Sequence, residues 1–289
     1  MKVFLNGKIV DEKDAVVSVF DHGLLYGDGI FEGTRVYNGR IAFLDEHIDR
    51  LFDSAKTILL DIGMTKDEIK QATVDICKAN SLKEGYMRHV VTRGVGNLGL
   101  NPYSCKKAQV IIIAAGIKLY SEEMYQNGLK IITAGTIRNM AEAVNPRVKS
   151  LNYLNNIMAK IEAINSGVEE CLLLNAQGYV AEASGDNVFA IKDNKLLTPA
   201  TWCGALDGVT RNVVMKLAAE MGMDVVETVL TRYELWTADE MFLTGTAAEV
   251  IAVVELDKRP IGDGKPGPKT QQLIKAYRNL VNSTGTPVE

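Results

Sequence analysis

Pro146-Arg147-Val148-Lys149-Ser150-Leu151-Asn152-Tyr153-Leu154 is the stretch on which the reading of this chain turns. Further along, Val180-Ala181-Glu182-Ala183-Ser184-Gly185-Asp186-Asn187 sets a glutamate among small residues. A lysine amine can form a Schiff base with a carbonyl cofactor, and a carboxylate can keep a pyridine nitrogen protonated. By itself a lysine in an Asn- and Arg-bearing loop is a solvated surface charge. Three other segments change that: Tyr26-Gly27-Asp28-Gly29-Ile30-Phe31-Glu32-Gly33-Thr34-Arg35-Val36-Tyr37, Leu206-Asp207-Gly208-Val209-Thr210-Arg211 before an amphipathic stretch, and Phe242-Leu243-Thr244-Gly245-Thr246-Ala247-Ala248-Glu249-Val250.

The order and spacing of these five segments resemble the fold-type IV, or class IV, aminotransferases, and the branched-chain amino acid aminotransferases in particular. The likeness runs from Val3-Phe4-Leu5-Asn6-Gly7 to the region of Val253. It implies an α+β protein of two α/β domains with pyridoxal 5'-phosphate at their interface. It also implies at least a homodimer, with residues of the partner chain completing the substrate pocket.

Composition agrees with a soluble globular protein. A chain of 289 residues can form one large domain or two smaller ones, and 47% apolar with 24% charged residues is ordinary. A net charge of -4 offers no basic face for nucleic acid, though a local patch can still serve an anionic small ligand. No apolar run approaches the ~20 residues needed to span a bilayer, and Met1-Lys2-Val3-Phe4 leads into a strand instead of a signal peptide, so a cytoplasmic location is expected. Cys77, Cys105, Cys171 and Cys203 are scattered, without a Cys-x-x-Cys pair or histidines to complete a zinc site. They read as reduced structural thiols, and no metal is expected.

Asn6-Gly7 and Asn38-Gly39 each lie between apolar strands and predict two-residue hairpins. Helical spacing follows from Leu44, with Asp45 able to cap it, and again over about 66–79 after Thr65. Strands are expected over 86–93 and 108–116, out of strict βαβ alternation, which favours α+β over a dinucleotide-binding fold. The polar stretch 119–127 marks a linker between an N-terminal domain, 1–118, and a C-terminal domain, 128–289. In the latter, Leu151, Leu154, Met158 and Ile161 follow the helical period, and Gly167 ends that helix. Further strands over 171–174 and 188–191, a helix over 210–221 and a terminal helix over about 269–281 complete the pattern.

The resemblance assigns roles residue by residue. Lys149 is the Schiff-base lysine and then the proton-transfer base, which requires a neutral amine; burial beside cations would lower its pKa. Glu182 pairs with the ring nitrogen, Tyr153 with the phenolic oxygen, and Leu206 packs on the ring. The N–H groups at the helix start after Gly208, at Val209 and Thr210, suit a phosphate, joined by the hydroxyls of Thr210 and Thr246 and by Arg50. The substrate side gathers Tyr26, Phe31, Arg35, Tyr86, Arg88 and Tyr120, with the turn Thr246-Ala247-Ala248 offering backbone N–H groups to a carboxylate. Such a pocket must accept both an aliphatic side chain and the second carboxylate of glutamate, for which Arg88 is suited.

Three positions depart from the family pattern. Thr34 replaces the usual Ile after Phe-Glu-Gly, His89 stands where many members have Pro, and Asp207 replaces a common Pro or Lys. Thr34 and His89 are expected to border the substrate and to broaden specificity. The first reading is transamination of leucine, isoleucine or valine with 2-oxoglutarate, in ping-pong fashion. D-amino acid or (R)-amine transamination and aminodeoxychorismate lyase are alternatives on the same fold, and a non-catalytic ligand-binding protein is the alternative from another class.

Overall fold

The computed structural model describes residues 1–117 and 119–289, and it divides into two compact units. One comprises Met1–Ile117, Val148–Asn152 and Val281–Glu289; the other Lys118–Arg147 and Tyr153–Leu280. Lys118, where the expected N-terminal domain ends, lies outside the described residues.

The first unit is built on β1 (Lys2–Leu5), β2 (Lys8–Asp11), β3 (Gly29–Tyr37), β4 (Arg40–Ala42), β5 (Gly85–Thr92) and β6 (Gln109–Ala115), with the short helix α1 (His22–Tyr26) preceding β3. A terminal strand, Thr286–Pro287, joins them in a seven-stranded antiparallel sheet in the order terminal strand-β4-β3-β5-β6-β1-β2. Both hairpins form as the dipeptides require, with positive φ at Asn6 (52°), Gly7 (89°), Asn38 (49°) and Gly39 (70°). Helices α2 (Leu44–Thr57) and α3 (Lys66–Ala79) cover one face of the sheet and bury Ile48, Leu51, Ile69 and Ile76 against Ile30, Val36, Met87 and Ile112.

The start of α2 differs from expectation. Phe43, in the left-handed region at φ 51°, is the N-cap, and Asp45 sits inside the first turn. The chain leaves β4 at Ala42 and must reverse at once, so the turn consumes Phe43; Asp45 then faces the positive helix end and pairs with Lys70 of α3. At α3, by contrast, Thr65 and Glu68 form a reciprocal capping box.

The second unit holds a nine-stranded mixed sheet. Its strands are β7 (Leu129–Thr133), β8 (Glu170–Leu174), β9 (Val180–Ala183), β10 (Asn187–Lys192), β11 (Lys195–Pro199), β12 (Asp224–Thr228), β13 (Glu240–Gly245), β14 (Glu249–Leu256) and β15 (Arg259–Pro260). Strands β11/β12, β14/β7 and β7/β8 pair in parallel, the remainder antiparallel. Helices α4 (Glu122–Asn127), α5 (Leu154–Asn165), α6 (Val209–Glu220), α7 (Arg232–Trp236) and α8 (Pro268–Ser283) complete the chain. The polar stretch after Lys118 is not extended, because Ser121 caps α4 through the Met124 N–H.

Helix α5 overturns one expectation. It begins at Leu154, not Leu151, because residues 148–152 run along β3: Leu151 N–H donates to Gly29 at 2.9 Å and Ser150 bridges Ile30. Its buried side consists of Asn156, Ala159 and Ala163, small enough for close approach to β8, while Leu154, Ile157, Met158, Ile161 and Ile164 are exposed. The period is as read; the apolar stripe faces outward. Gly167, at φ 75°, follows the helix end.

Candidate active site

In the first unit Lys149 is clipped between β3 and α2. Its carbonyl accepts from the Phe31 N–H at 2.9 Å and its own N–H donates to Ser54 Oγ at 3.2 Å. Lys149 Nζ lies 4.5 Å from the Phe31 ring centroid, and the Arg88 guanidinium lies 4.7 Å from the same centroid and 5.3 Å from that of Tyr86. Strand alternation puts Phe31, Gly33 and Arg35 on one face, and the register sets Gly33 opposite Arg88 and Arg35 opposite Tyr86. Gly33 is required there: a Cβ would meet the Tyr86 hydroxyl at 1.7 Å. Lys149, Phe31, Arg35, Tyr86 and Arg88 therefore share one face, cationic and aromatic together.

Tyr26 is placed apart, at the end of α1, where its hydroxyl donates to the Leu98 carbonyl and its ring meets His22 edge-on at 5.0 Å. Thr34 and His89 correct the expectation that they border the substrate. Both are buried on the opposite, helix-covered face, with His89 Nε2 2.9 Å from Thr73 Oγ1 of α3. A residue adjacent in sequence to a site residue on a strand points the other way. Burial pushes the His89 imidazole down to about 4.

That hidden face contains a cluster that the motifs do not announce. Arg50 donates to Glu32 through Nε (2.6 Å) and Nη2 (3.0 Å), His47 Nδ1 lies 2.9 Å from Glu32 Oε2, and the Gly33 N–H reaches the same oxygen at 3.2 Å. Burial opposes the Glu32 charge, but the Arg50 charge and the His47 hydrogen bond overcome it and hold the carboxyl well below its ordinary range. Burial also lowers the His47 pKa. A signal was available: His47, Arg50 and Ser54 recur at i, i+3 and i+7, polar groups on a helix face otherwise filled by Leu44, Ile48 and Leu51.

In the second unit, Glu182 on β9 is nearly buried and held at both oxygens. Arg138 approaches Oε1 through Nε at 3.0 Å and Nη2 at 2.8 Å, and Oε2 accepts from the Leu206 N–H at 2.8 Å. Asn187 then grips the Leu206 carbonyl at 2.9 Å, fixing the loop before α6. The remaining nitrogen of Arg138 is spent on the side-chain oxygens of Asn139, Asn155 and Asn156. Arg138 and Asn187 are absent from the sequence-derived set: Arg138 lies outside every quoted motif, and Asn187, though it closes the Glu182 segment, was read there only as a small residue.

Tyr153 occupies the N-cap position of α5. Gly208 plays the same part for α6, its Cβ space filled by Asn187 Oδ1 at 2.0 Å, followed by Val209 and Thr210 in the first turn. The Thr210 hydroxyl is buried with no hydrogen-bond partner among the described residues. An orphaned hydroxyl at the start of a twelve-residue helix, with its unpaired N–H groups, is what a phosphate would complete. The residues present thus fit a phosphorylated pyridine cofactor. Thr246 and Ala247 form the turn between β13 and β14, beside the buried Ala248. Tyr120 packs in the core and its hydroxyl donates to Asp186 at 3.2 Å. Burial and the neighbouring Glu170 charge push the Asp186 carboxyl up to about 7.

The two units together have the secondary structure, and individually the side chains, of a cofactor-dependent transferase. The amino-transferase class IV model matches residues 29–256, and the chain belongs to that family. It is 43% identical over 287 residues to the branched-chain-amino-acid aminotransferase of Pseudomonas aeruginosa, covering 97% of this chain and 92% of that one. Among solved structures, the Escherichia coli branched-chain amino acid aminotransferase superposes with a TM-score of 0.97 at 33% identity, covering 100% of this chain and 99% of that one. The T.th. branched-chain amino acid aminotransferase complexed with N-(5'-phosphopyridoxyl)-L-glutamate superposes with a TM-score of 0.94 at 34% identity, covering 100% and 98%.

Proposed function

We propose that this chain is a pyridoxal-phosphate-dependent aminotransferase exchanging amino groups between the branched-chain L-amino acids leucine, isoleucine and valine and 2-oxoglutarate. The observation that carries the reading is the placement of Lys149, its backbone tied to β3 and α2 and its amine over Phe31 on the face it shares with Arg88. When bound, the cofactor supplies an electrophilic aldehyde carbon and a ring that takes up the electrons released at the substrate α-carbon.

Lys149 would hold that aldehyde carbon and would supply the amine that moves a proton between the substrate α-carbon and the cofactor's C4'. Glu182, held in place by Arg138, would pair with the ring nitrogen. Tyr153 serves the phenolic oxygen and Leu206 the ring face. Val209, Thr210 and Thr246 of the second unit and Arg50 of the first are the groups that would serve the phosphate. Phe31, Tyr26 and Tyr120 would receive an aliphatic side chain, Tyr120 donating its hydroxyl to Asp186, and Arg88 would receive the second carboxylate of glutamate; Arg35, Tyr86 and the turn Thr246-Ala247-Ala248 belong to the same substrate set.

The reading includes a homodimer or larger assembly. The exposed row Leu154, Ile157, Met158, Ile161 and Ile164 supports it, being the kind of apolar surface that association covers. A cytoplasmic location goes with it; among the described residues no helix is long and apolar enough to cross a membrane.

A half-reaction tests the proposal. Cofactor-loaded protein is mixed separately with L-leucine, L-glutamate, D-alanine and (R)-1-phenylethylamine, and the visible band of the bound cofactor is followed. Bleaching by L-leucine and L-glutamate alone is expected. Bleaching chiefly by D-alanine or the amine would transfer the assignment to the D-amino acid or (R)-amine enzymes, and no visible band at all would remove the catalytic reading.

A further inference from the structure

We infer that Glu32, backed by His47, is a positioning residue that aims Arg50 at the cofactor phosphate. The inference rests on the reading of Arg50 as a phosphate ligand and adds to it how that side chain is oriented. Glu32 projects from the apolar side of β3, between Ile30 and Val36 along the strand, and is completely buried. Stability does not explain a carboxylate there, because a buried ion pair is often no better than well-packed apolar residues of the same volume. A long aliphatic side chain would fill the space.

The geometry instead describes a cradle. Arg50 meets Glu32 with a two-pronged fork, Nε on Oε1 and Nη2 on Oε2, which fixes the plane of the guanidinium as well as its position. Glu32 Oε2 is also bound by His47 Nδ1 and the Gly33 N–H, so four donors occupy the carboxylate and it is built as a support. His47 lies three residues before Arg50 on α2, on the same stripe, and reaches the same oxygen from behind. With its basicity reduced by burial, His47 serves as a neutral Nδ1–H donor and brings no second positive charge. Arg50 keeps 14% of its side chain exposed while Glu32 keeps none, so the cationic partner is the one presented outward.

Two consequences of removing the Glu32 charge oppose each other. The guanidinium loses its fixed plane, which weakens phosphate binding; it also loses a neutralising neighbour, which strengthens long-range attraction. If Glu32 positions Arg50, the first effect dominates, and only for ligands that have a phosphate.

Starting from holoenzyme, cofactor is removed by equilibrium dialysis, and the dissociation constants of pyridoxal phosphate and of pyridoxal, which lacks the phosphate, are measured for the parent protein, Arg50→Ala, Glu32→Gln and the double variant. Arg50→Ala is expected to weaken pyridoxal phosphate about 100-fold and Glu32→Gln about 10-fold, with pyridoxal shifting less than about 2-fold in either. The double variant should be no weaker than Arg50→Ala alone, since Glu32 acts through Arg50. Equal weakening of both ligands by Glu32→Gln would make its role merely structural, and an unchanged or tighter phosphate form would show that Glu32 only neutralises Arg50; either overturns the inference. If Arg50→Ala leaves the ratio of the two constants unchanged, it is the reading of Arg50 that fails. Should Glu32→Gln not fold, His47→Gln carries the test: an approximately 3-fold change in the same ratio supports the inference, and no change overturns it.

Discussion

Each unit holds a buried Arg–Glu pair, and the parts proposed for the two pairs are mirror images. In the first, Glu32 is sealed off and saturated by four donors while Arg50 keeps an exposed edge. In the second, Arg138 is the saturated partner, its nitrogens divided among Glu182, the Gly204 carbonyl and three asparagine oxygens. In the proposed function the same ion pair thus offers a cation in one unit and a carboxylate in the other. Since a buried pair adds little net stability, the proposed function assigns the working part to Arg50 in the first unit and to Glu182 in the second. A phosphate and a pyridine nitrogen demand those opposite signs.

The largest effect that would sharpen this contrast comes from Arg138→Met. Glu182 would keep its burial and lose its countercharge, so urea unfolding should show a loss of about 3–5 kcal/mol, most of it recovered in Arg138→Met/Glu182→Gln. Recovery means that the cost is the stranded carboxylate. A loss that persists in the double variant would mean that the asparagine contacts of Arg138 are what holds the loop, and the symmetry between the two pairs would break.

A second, smaller difference between the units is their response to acid. His47 and His89 of the first unit have folded pKa values depressed by burial, so the unfolded chain binds protons that the native unit refuses. Their stabilisation is complete above about pH 6.5 and is lost as pH falls toward the folded values. Asp186 behaves oppositely. Its carboxyl, pushed up to about 7, retains in the native state a proton that the unfolded chain releases near pH 4, so its contribution is greatest in acid and declines as pH rises to about 7. Between pH 7 and 5 the two tendencies oppose. Asp186→Asn should make stability fall more steeply over that window than in the parent, and His89→Asn less steeply, each by roughly 1–3 kcal/mol in urea titrations. Slopes unchanged in both variants would show that these groups titrate normally in the folded protein.

How much was legible in sequence follows the range of the interactions. The Asn-Gly hairpins and the helix start after Thr65 are local, set by positive φ and by a side chain reaching its own third neighbour, and they form as read. Lys149 and Glu182 stand out because their chemistry is demanding. Arg138 lies 44 residues from Glu182, and Glu32 lies 18 from Arg50, so no local pattern joins them. Helix α5 shows a different limit: periodicity finds an apolar stripe but does not say what covers it, and Ala159 and Ala163 turned out to be the inward side. For Thr34 and His89 the misreading came from taking neighbours in a motif as neighbours in space, which the twofold alternation of a strand forbids.

That alternation yields the smallest and most local way to break the comparison. In the proposed function the support of Arg50 and the substrate surface of the first unit are the two faces of β3, with Glu32 on one and Gly33 on the other. Gly33→Ala would drive a methyl group into the Tyr86 ring and hydroxyl while leaving the Glu32–Arg50 fork untouched. Tyr86 is the movable partner, so the protein should fold with an overpacking cost near the low end of about 1–3 kcal/mol. The KM for L-leucine should rise about 10-fold while the dissociation constant of pyridoxal phosphate stays within about 2-fold. If cofactor affinity fell with substrate affinity, the two faces of the strand would not be separable, and Gly33 would belong to the cradle of Arg50 through its N–H rather than to the substrate surface through its missing side chain.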